Sequence, residues 1–496
     1  MSKGSILLIG FHNQKALGVR YLEKALKSSD FAVNIVFFKA FNSVNPNPAT
    51  AKELELLKNI IADTKPDMIG LSVMSSLYIE TVYSVNNMLK ENFNIPILWG
   101  GVFVTLFPDK CLEHADFVIR GEGEKSIVEL MNSIVRKADF QHIKNLGFKK
   151  AGEAIVNDMY LLMEDLDEYG YPKIGGDNKY FINNNTVTKG DPLINSLSYE
   201  LTASRGCPFV CSYCSAVNLR RSYSGKGNFV RFRSVARVMD ELHEAKAKIK
   251  RLKVIHFWDE IFSDDQSWID GFTYRYKKEI NLPFEIWGHP LKTDKALIEK
   301  LVKAGLYKVV MGIQSGSPYI RKEIFHRPEK QEDIIKASEV LRDCKVPQVI
   351  YDFMLQHPFE TDESMRETYE LCTRLAPPFE LQLHGLNFLP GTDIVDLAIK
   401  QNVVDKEELE KIMNGTMQEQ YDAYWKLRSK SELSGFWYSL IYLTQFSTTR
   451  SIATKLAADP TSEKNKNKAK KLYKMSQPLS KIRYYYKKGR LVLKSI

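Results

Sequence analysis

The sequence predicts an α/β fold: a doubly wound parallel domain, then an open array of six β/α units, then a helical C-terminal region. Three observations carry this. Short apolar runs alternate with amphipathic segments over residues 1–140. The alternation breaks over 141–198 and resumes over 199–408 for six units. Residues 409–496 carry helical patterning. At about 150 residues per domain, a chain of this length makes roughly three domains. An apolar content of 44 % with 11 % aromatics supplies packed cores rather than disorder.

In the front domain SILLIG (5–10), NIVFF (34–38), DMIGLSV (67–73), IPILWGG (95–101) and DFVIRG (116–121) are the strand-like runs, and LGVRYLEKALK (17–27) has helical spacing. Continuous apolar strands between helices mean a parallel sheet covered on both faces. That is a Rossmann-like arrangement, whose ligands sit beyond the carboxyl ends of the strands. Residues 141–198 read as a connector. LGFKK and AIVND flank a turn as a hairpin, and FINNNTVTKGDP is turn chemistry. From 199 the strands are YELTAS (199–204), LKVIHFW (252–258), FEIWG (284–288), YKVVMGI (307–313), VIYDFML (349–355) and LQLHGLNF (381–388). Helical stretches such as VARVMDELHEAKAKI (235–249) and DIIKASEVLRDC (333–344) separate them. Six units are too few for a closed TIM barrel and enough for a partial (β/α)6 one, with its working residues at the carboxyl ends of the strands.

The net charge is +10, yet residues 451–496 hold 13 Lys/Arg against 2 Asp/Glu, so the basicity belongs to the tail. KNKNKAKKLYK (464–474) and KIRYYYKKGR (481–490) mix base with aromatics. Three readings compete: a solvated tail, a peripheral contact with an anionic membrane with FWYSLIYL (436–443) as interfacial anchor, and single-stranded RNA. FWYSLIYLTQF (436–446) falls far short of the roughly 20 residues of a membrane span. The MSKG start leads straight into a strand and lacks a signal-peptide pattern. The expected location is therefore cytoplasmic, where thiols stay reduced and clustered cysteines are metal ligands rather than disulfides.

LTASRGCPFVCSYCSA (201–216) holds three of the six cysteines, Cys207, Cys211 and Cys214, as C-x₃-C-x₂-C. Structural zinc needs four ligands, commonly two C-x₂-C pairs. Cys111, Cys344 and Cys372 are single and distant, and each reads as a small buried hydrophobe. The other reading is a [4Fe-4S] cluster held by three thiolates, with one iron left open for a substrate.

This motif, with Tyr213 just before the third cysteine and on the loop after the first of six β/α units, resembles the radical S-adenosylmethionine (SAM) superfamily. The resemblance implies that the open iron binds the amino and carboxylate groups of SAM. Reductive cleavage then gives a 5′-deoxyadenosyl radical, with an electron donor such as flavodoxin or ferredoxin. Polar residues mark the other strand ends: Asp259-Glu260, Gly288-His289, Gly312-Ile313-Gln314-Ser315-Gly316-Ser317, Gln356-His357-Pro358-Phe359-Glu360-Thr361 and Asn387. By resemblance, Asp259 or Glu260 accepts the methionine ammonium, since a cation in a dry site needs a carboxylate. Gln314 stands where the similar motif Gly-Ile-Glu-Ser-Gly has Glu, next to Ser315, and still hydrogen-bonds ribose hydroxyls. Tyr213 would touch adenine. His289 and His357 are strand-end histidines that either touch substrate as acid/base groups or are satisfied loop residues. Asp259-Glu260 also fits a helix N-cap, His256 reads as core, and Arg327 as a salt-bridge donor.

The front domain resembles the cobalamin-binding domain that precedes many radical SAM cores, through GLSVMSS (70–76), WGGVFVT (99–105) and IRGEGEKS (119–126). Small residues at strand ends let a flat cofactor approach. The resemblance gives Ser72, Gly100, Gly101 and Glu122 to cobalamin, although Glu122 also fits a helix-opening acid. The lower-ligand motif Asp-x-His-x-x-Gly is absent: His12 lacks both the Asp and the spacing, so cobalt has no protein histidine below it. The expected function is methyl transfer to an unactivated carbon of a small-molecule or lipid substrate. A radical cyclisation or rearrangement without methylation, and a non-catalytic iron–sulfur or cobalamin sensor, are the alternatives. Relatives that methylthiolate transfer RNA carry extra N-terminal cysteines that Cys111 alone does not supply, which counts against nucleic acid.

Overall fold

The computed structural model describes residues 3–41, 46–425 and 429–493, with side chains except at 412, 481 and 484–493. The front sheet is built on β1 (Ser5–Phe11), β2 (Ala32–Phe38), β3 (Met68–Ser72), β4 (Ile97–Gly100) and β5 (Phe117–Ile119). They pair in parallel in the order β5-β4-β3-β1-β2. The segment read as a connector extends this sheet at both edges. β6 (Leu146–Lys150) and β7 (Glu153–Val156) run antiparallel beyond β5, and β8 (Lys179–Asn183) with β9 (Thr186–Lys189) lies beyond β2. Asn184 and Asn185, both at positive φ, form the two-residue turn between β8 and β9, the geometry that suits twisted strands.

Both faces of the sheet are apolar because successive side chains alternate sides. Leu7, Ile9, Ile69 and Trp99 pack on the helices at 51–64 and 79–92. Ile6, Leu8, Phe37 and Leu98 pack on those at 17–27 and 124–136.

A second sheet follows. β10 (Ser198–Leu201) leads into a small antiparallel pair, β11 (Ser204–Arg205) with β12 (Arg231–Phe232). Then come β13 (Val254–Phe257), β14 (Phe284–Gly288), β15 (Leu306–Gln314), β16 (Gln348–Met354) and β17 (Glu380–His384). The order β10-β13-β14-β15-β16-β17 is parallel throughout, the partial six-unit barrel. Its outer face is aliphatic and aromatic: Tyr199, Ile255, Phe284, Val309 and Val349 belong to the largest core cluster, and the partly buried Leu381 packs against it. Its inner face is charged. Glu200, His256, Glu285, Lys308 and Gln348 lie side by side in register across five strands. His256, expected in the core, is only partly buried and stands 3.6 Å from Glu285, which also holds Lys308 at 2.8 Å.

The C-terminal helices close over the outside of the barrel. Phe436, Trp437, Leu440, Ile441 and Leu443, on the helix Glu432–Leu443, are buried in the barrel's own core cluster. This overturns the interfacial-anchor reading of FWYSLIYL: its apolar residues have protein partners. The basic tail forms the helix Glu463–Leu493; the side chains of its YYYKKGR segment lie outside the described residues. No helix among the described residues is long and apolar enough to cross a membrane.

Because Leu440 is fully buried, Leu440→Ala should cost about 2–5 kcal/mol in denaturant unfolding of the whole chain. A loss below about 0.5 kcal/mol, the range of surface substitutions, would put this helix outside the core.

Candidate active site

The carboxyl ends of the front strands and of the first two barrel strands open onto one cavity of about 400 Å³. Ser72, Gly100, Gly101 and Glu122 line it from the front sheet. Ser204, Gly206, Trp258 and Glu260 line it from the barrel. The front wall is flat because its strand ends carry little side chain. A Cβ on Gly100 would meet nothing closer than the Ile119 carbonyl oxygen at 3.9 Å, so that face is open. Gly101 is obligatory: its φ is +116°, and a Cβ there would stand 2.6 Å from the Val73 carbonyl oxygen.

The cysteine loop begins at Arg205, the last residue of β11. Cys214 sits at the N-terminus of the helix Ser215–Ser222, and its N–H donates to the Cys211 carbonyl at 3.1 Å. Between them Ser212 pins the loop to the barrel. Its hydroxyl donates to the Ile324 carbonyl at 2.5 Å, and its carbonyl accepts from the Ile394 N–H at 3.0 Å. Burial pushes the Cys207 thiol up to about 11 and the Cys214 thiol to about 12, with Cys211 and Glu260 adding to both. Mutual influence of this kind puts the three thiols and Glu260 in one neighbourhood. Among the described residues no three His, Cys, Asp or Glu side chains converge as ligands of a single metal ion. The other three cysteines are buried elsewhere.

The two adjacent carboxylates divide. Asp259 is buried and accepts from the Ala203 N–H at 3.2 Å and from the Ser204 hydroxyl. It therefore ties β13 to the start of the cysteine loop. Burial raises its carboxyl to about 6 against these hydrogen bonds. Glu260 faces the cavity without a hydrogen bond or ion pair among the described residues, and the surrounding protein raises its carboxyl. Gln314 is buried at positive φ, and its Oε1 has no partner. Ser315 accepts through Oγ from the Ser317 N–H at 3.1 Å and through its carbonyl from Arg321 at 2.8 Å. Tyr213 points away from the cavity wall: its hydroxyl accepts from Arg327 at 3.1 Å and its ring meets Phe325 edge-on.

Neither expected catalytic histidine lines the cavity. His289 stacks on Phe209 of the cysteine loop at 3.8 Å, accepts at Nδ1 from the Leu291 N–H at 3.2 Å, and sets Nε2 at 3.4 Å from Glu329. Burial lowers it. Arg327 donates to Glu329 at 2.5 Å and to the Gly312 carbonyl at 2.7 Å. These contacts make His289 a support for the loop. His357 is fully enclosed, neither ring nitrogen has a partner, and burial with nearby Lys430 lowers it to about 3. Its neighbour Glu360, 4.0 Å away, is raised to about 8 by burial, against the Gln356 N–H and Lys430.

Glu122 also has another occupation. Its carboxylate takes Arg205 at 3.0 Å, Arg231 at 2.7 Å and the Tyr169 hydroxyl at 2.9 Å, while Arg205 reaches Glu124 at 2.7 Å. Burial opposes its charge, and the two guanidiniums win, holding the carboxyl below its ordinary value. Arg205, Arg231 and Trp258 went unremarked in the sequence, although an arginine directly before the first Gly-Cys of the motif was a visible signal. His12 turns away, 3.1 Å from the Thr81 hydroxyl and stacked on Tyr78; burial lowers it to about 4.

Comparison with known proteins agrees with this arrangement. The B12 binding domain model matches residues 12–131, and the radical SAM superfamily model matches residues 201–372. An uncharacterized methyltransferase, PH0819, from Pyrococcus horikoshii is 24 % identical over 355 residues, covering 70 % of this chain and 72 % of that protein. An anaerobic magnesium-protoporphyrin IX monomethyl ester cyclase from Cereibacter sphaeroides is 25 % identical over 379 residues, covering 71 % of this chain and 55 % of the cyclase. The fold matches that of the radical S-adenosylmethionine methyltransferase TsrM from Kitasatospora setae, with a TM-score of 0.64 at 17 % identity, over 81 % of this chain and 75 % of TsrM.

Two outcomes follow from the charges. Glu122→Ala leaves two guanidiniums without their acid and should cost about 2–3 kcal/mol in denaturant unfolding, the low end because Arg205 is 25 % exposed; an unchanged midpoint would remove the network from the stability of the chain. The second concerns pH. Glu360 has an ordinary value of 4.5 and a folded value of about 8, so its contribution is full below 4.5 and lost as pH rises through 8. His357, at 6.5 and about 3, contributes fully above 6.5 and loses its part as pH falls. Between 6.5 and 8 only Glu360 of this pair titrates. Glu360→Gln should therefore flatten the decline in unfolding free energy across that window, and a slope equal to the parent's would show the carboxyl already ionised.

Proposed function

We infer, from a chain that belongs to the radical SAM superfamily and carries a B12-binding domain ahead of its radical SAM domain, that this protein is a cobalamin-dependent methyltransferase acting on an unactivated carbon. The observation that carries the reading is the shared cavity: the glycine-rich front strand ends and the start of the cysteine loop line the same space. The radical SAM domain implies a [4Fe-4S] cluster and SAM, and the B12-binding domain implies cobalamin. When bound, these supply reductive SAM cleavage and a transferable methyl group, with the protein positioning and shielding them.

The residues present fit these groups. Cys207, Cys211 and Cys214 are the cluster ligands, on a loop fixed through Ser212, Asp259 and the His289–Phe209 stack. Ligation by metal replaces the thiol protons that burial retains. Glu260 receives the methionine ammonium of SAM; its carboxylate lacks any other partner among the described residues. The orphaned Gln314 Oε1 accepts a hydroxyl. Gly100, Gly101 and Ser72 seat the cobalamin. Among the described residues the cavity lining contains no histidine, and His12 is hydrogen-bonded to Thr81, which supports a cobalt without a protein imidazole. Leu8, Leu98 and Ile119 form an apolar wall that excludes water. A low-potential donor such as flavodoxin or ferredoxin supplies the electron, and the substrate is a small molecule or lipid. The cyclase relatives favour one other reading, radical ring formation without methylation.

The test is anaerobic reconstitution with iron, sulfide and hydroxocobalamin. About four irons and about one cobalt per chain are expected. Cys211→Ala should lose the iron and the release of 5′-deoxyadenosine while keeping cobalt; undiminished 5′-deoxyadenosine sinks the cluster assignment. Glu260→Gln should keep the iron and weaken SAM binding by about tenfold or more in equilibrium dialysis, the worth of one charge-assisted hydrogen bond. Methyl label that passes from SAM to product separates methylation from cyclisation.

A further inference from the structure

The helix Glu463–Leu493 leaves one face uncovered. Met475 is 62 %, Leu479 50 % and Ile482 63 % exposed. Their spacing of four and three residues puts them on one stripe. Followed toward the N-terminus, the same stripe carries Lys471, Lys468 and Lys464, all exposed and without an ion pair among the described residues. The opposite face is fixed to the body. Ala469 is fully buried and Leu472 packs on the barrel's core cluster. Tyr473 stands edge-on to Tyr438 at 5.7 Å and to Tyr442 at 4.9 Å, and Tyr442 hydrogen-bonds Ser480 at 2.6 Å. A helix held by one side thus presents three lysines followed by three aliphatic side chains on the other.

We propose that this face is a docking surface for an anionic lipid membrane, with the helix lying in the plane of the interface. The aliphatic residues enter the headgroup boundary, and the lysines meet lipid phosphates. Charge complementarity selects this occupant. A single-stranded nucleic acid needs exposed rings for its bases, and among the described side chains of this helix the aromatic ring, Tyr473, is turned inward. The same face of a second copy would set lysines against lysines, since the stripe itself carries no carboxylate. The proposal stands apart from the radical chemistry, because none of these six residues lines the cavity.

The experiment is cosedimentation of the full chain with vesicles. One set contains about one-third phosphatidylglycerol in phosphatidylcholine and the other phosphatidylcholine alone. Wild type should bind the anionic vesicles about tenfold or more tightly than the neutral ones, and salt should weaken the binding. Met475→Ser, Leu479→Ser and Ile482→Ser combined should weaken it about tenfold, with circular dichroism and iron content unchanged. Lys464→Gln, Lys468→Gln and Lys471→Gln combined should abolish the preference for anionic lipid. Equal binding by wild type and the serine variant overturns the proposal. So does wild type that binds polyuridylate but no vesicle, or a dimer in light scattering that the serine variant loses while neither binds vesicles.

Discussion

The position of the cysteine loop depends on an ion-pair network that crosses between two sheets. Arg205 opens the loop from the barrel side, and both of its acids, Glu122 and Glu124, stand at the end of the front sheet. Arg231, on the strand paired with Arg205, closes on Glu122 as well. Charges taken out of water gain little net stability, since desolvation offsets most of the attraction. What they gain is direction. A guanidinium fork admits few arrangements of its carboxylates, and Arg205 is also held over the rings of Tyr169 and Tyr21 at 4.6 and 5.2 Å. The front sheet thereby sets where the first cysteine begins. Two strand arrays with separate core clusters meet with their carboxyl ends on one cavity.

A second tie enters from the first loop of the front sheet. Lys15 reaches into the barrel and donates to the Ser198 hydroxyl at 2.6 Å and to Glu200 at 2.7 Å. Glu200 begins the charged row of Glu200, His256, Glu285 and Lys308 on the inner face of the barrel. Lys15 extends that row by one cation from outside the barrel. The same loop continues into Leu17 and Gly18, which line the cavity. The front wall of the cavity is therefore tied to the barrel interior through Lys15.

The front strands were legible because parallel strands buried on both faces read as unbroken apolar runs, and the barrel strands because apolar outer positions alternate with polar inner ones; FEIWG, with Glu285 on the inner face, is the observed β14 from end to end. The cysteine motif was legible because its three cysteines lie within eight residues of one loop. The network around Glu122 was not, because its partners lie 83 and 109 residues away and no local spacing reports them. FWYSLIYL misled for a related reason. An apolar helix looks the same whether lipid or protein covers it, and only the fold shows Trp437 and Leu440 buried against the barrel. His357 was legible as a strand-end residue and not as an orphan: its enclosure needs Phe325, which arrives from another part of the chain, beside the neighbouring Phe359.

The pair Asp259-Glu260 shows how one motif position can separate into two tasks. Successive residues leaving a strand point to opposite sides, so both carboxylates cannot meet the same partner. Asp259 takes the inward direction, where the Ala203 N–H and the Ser204 hydroxyl wait for an acceptor. Its hydrogen bonds fix the residues immediately before the cysteine loop. Glu260 takes the direction of the cavity and meets no cation of this chain among the described residues. Burial raises it, and the neighbouring cysteines would carry further negative charge as metal ligands. That side of the cavity is thus short of positive charge, while every described arginine beside it is already paired: Arg205 with Glu122 and Glu124, Arg231 with Glu122. A ligand that brings its own ammonium next to a thiolate-bound metal corrects the deficit, and an uncharged one does not. Glu260 is thus left to meet a cation from outside the chain, whereas Glu122 is already neutralised by Arg205 and Arg231.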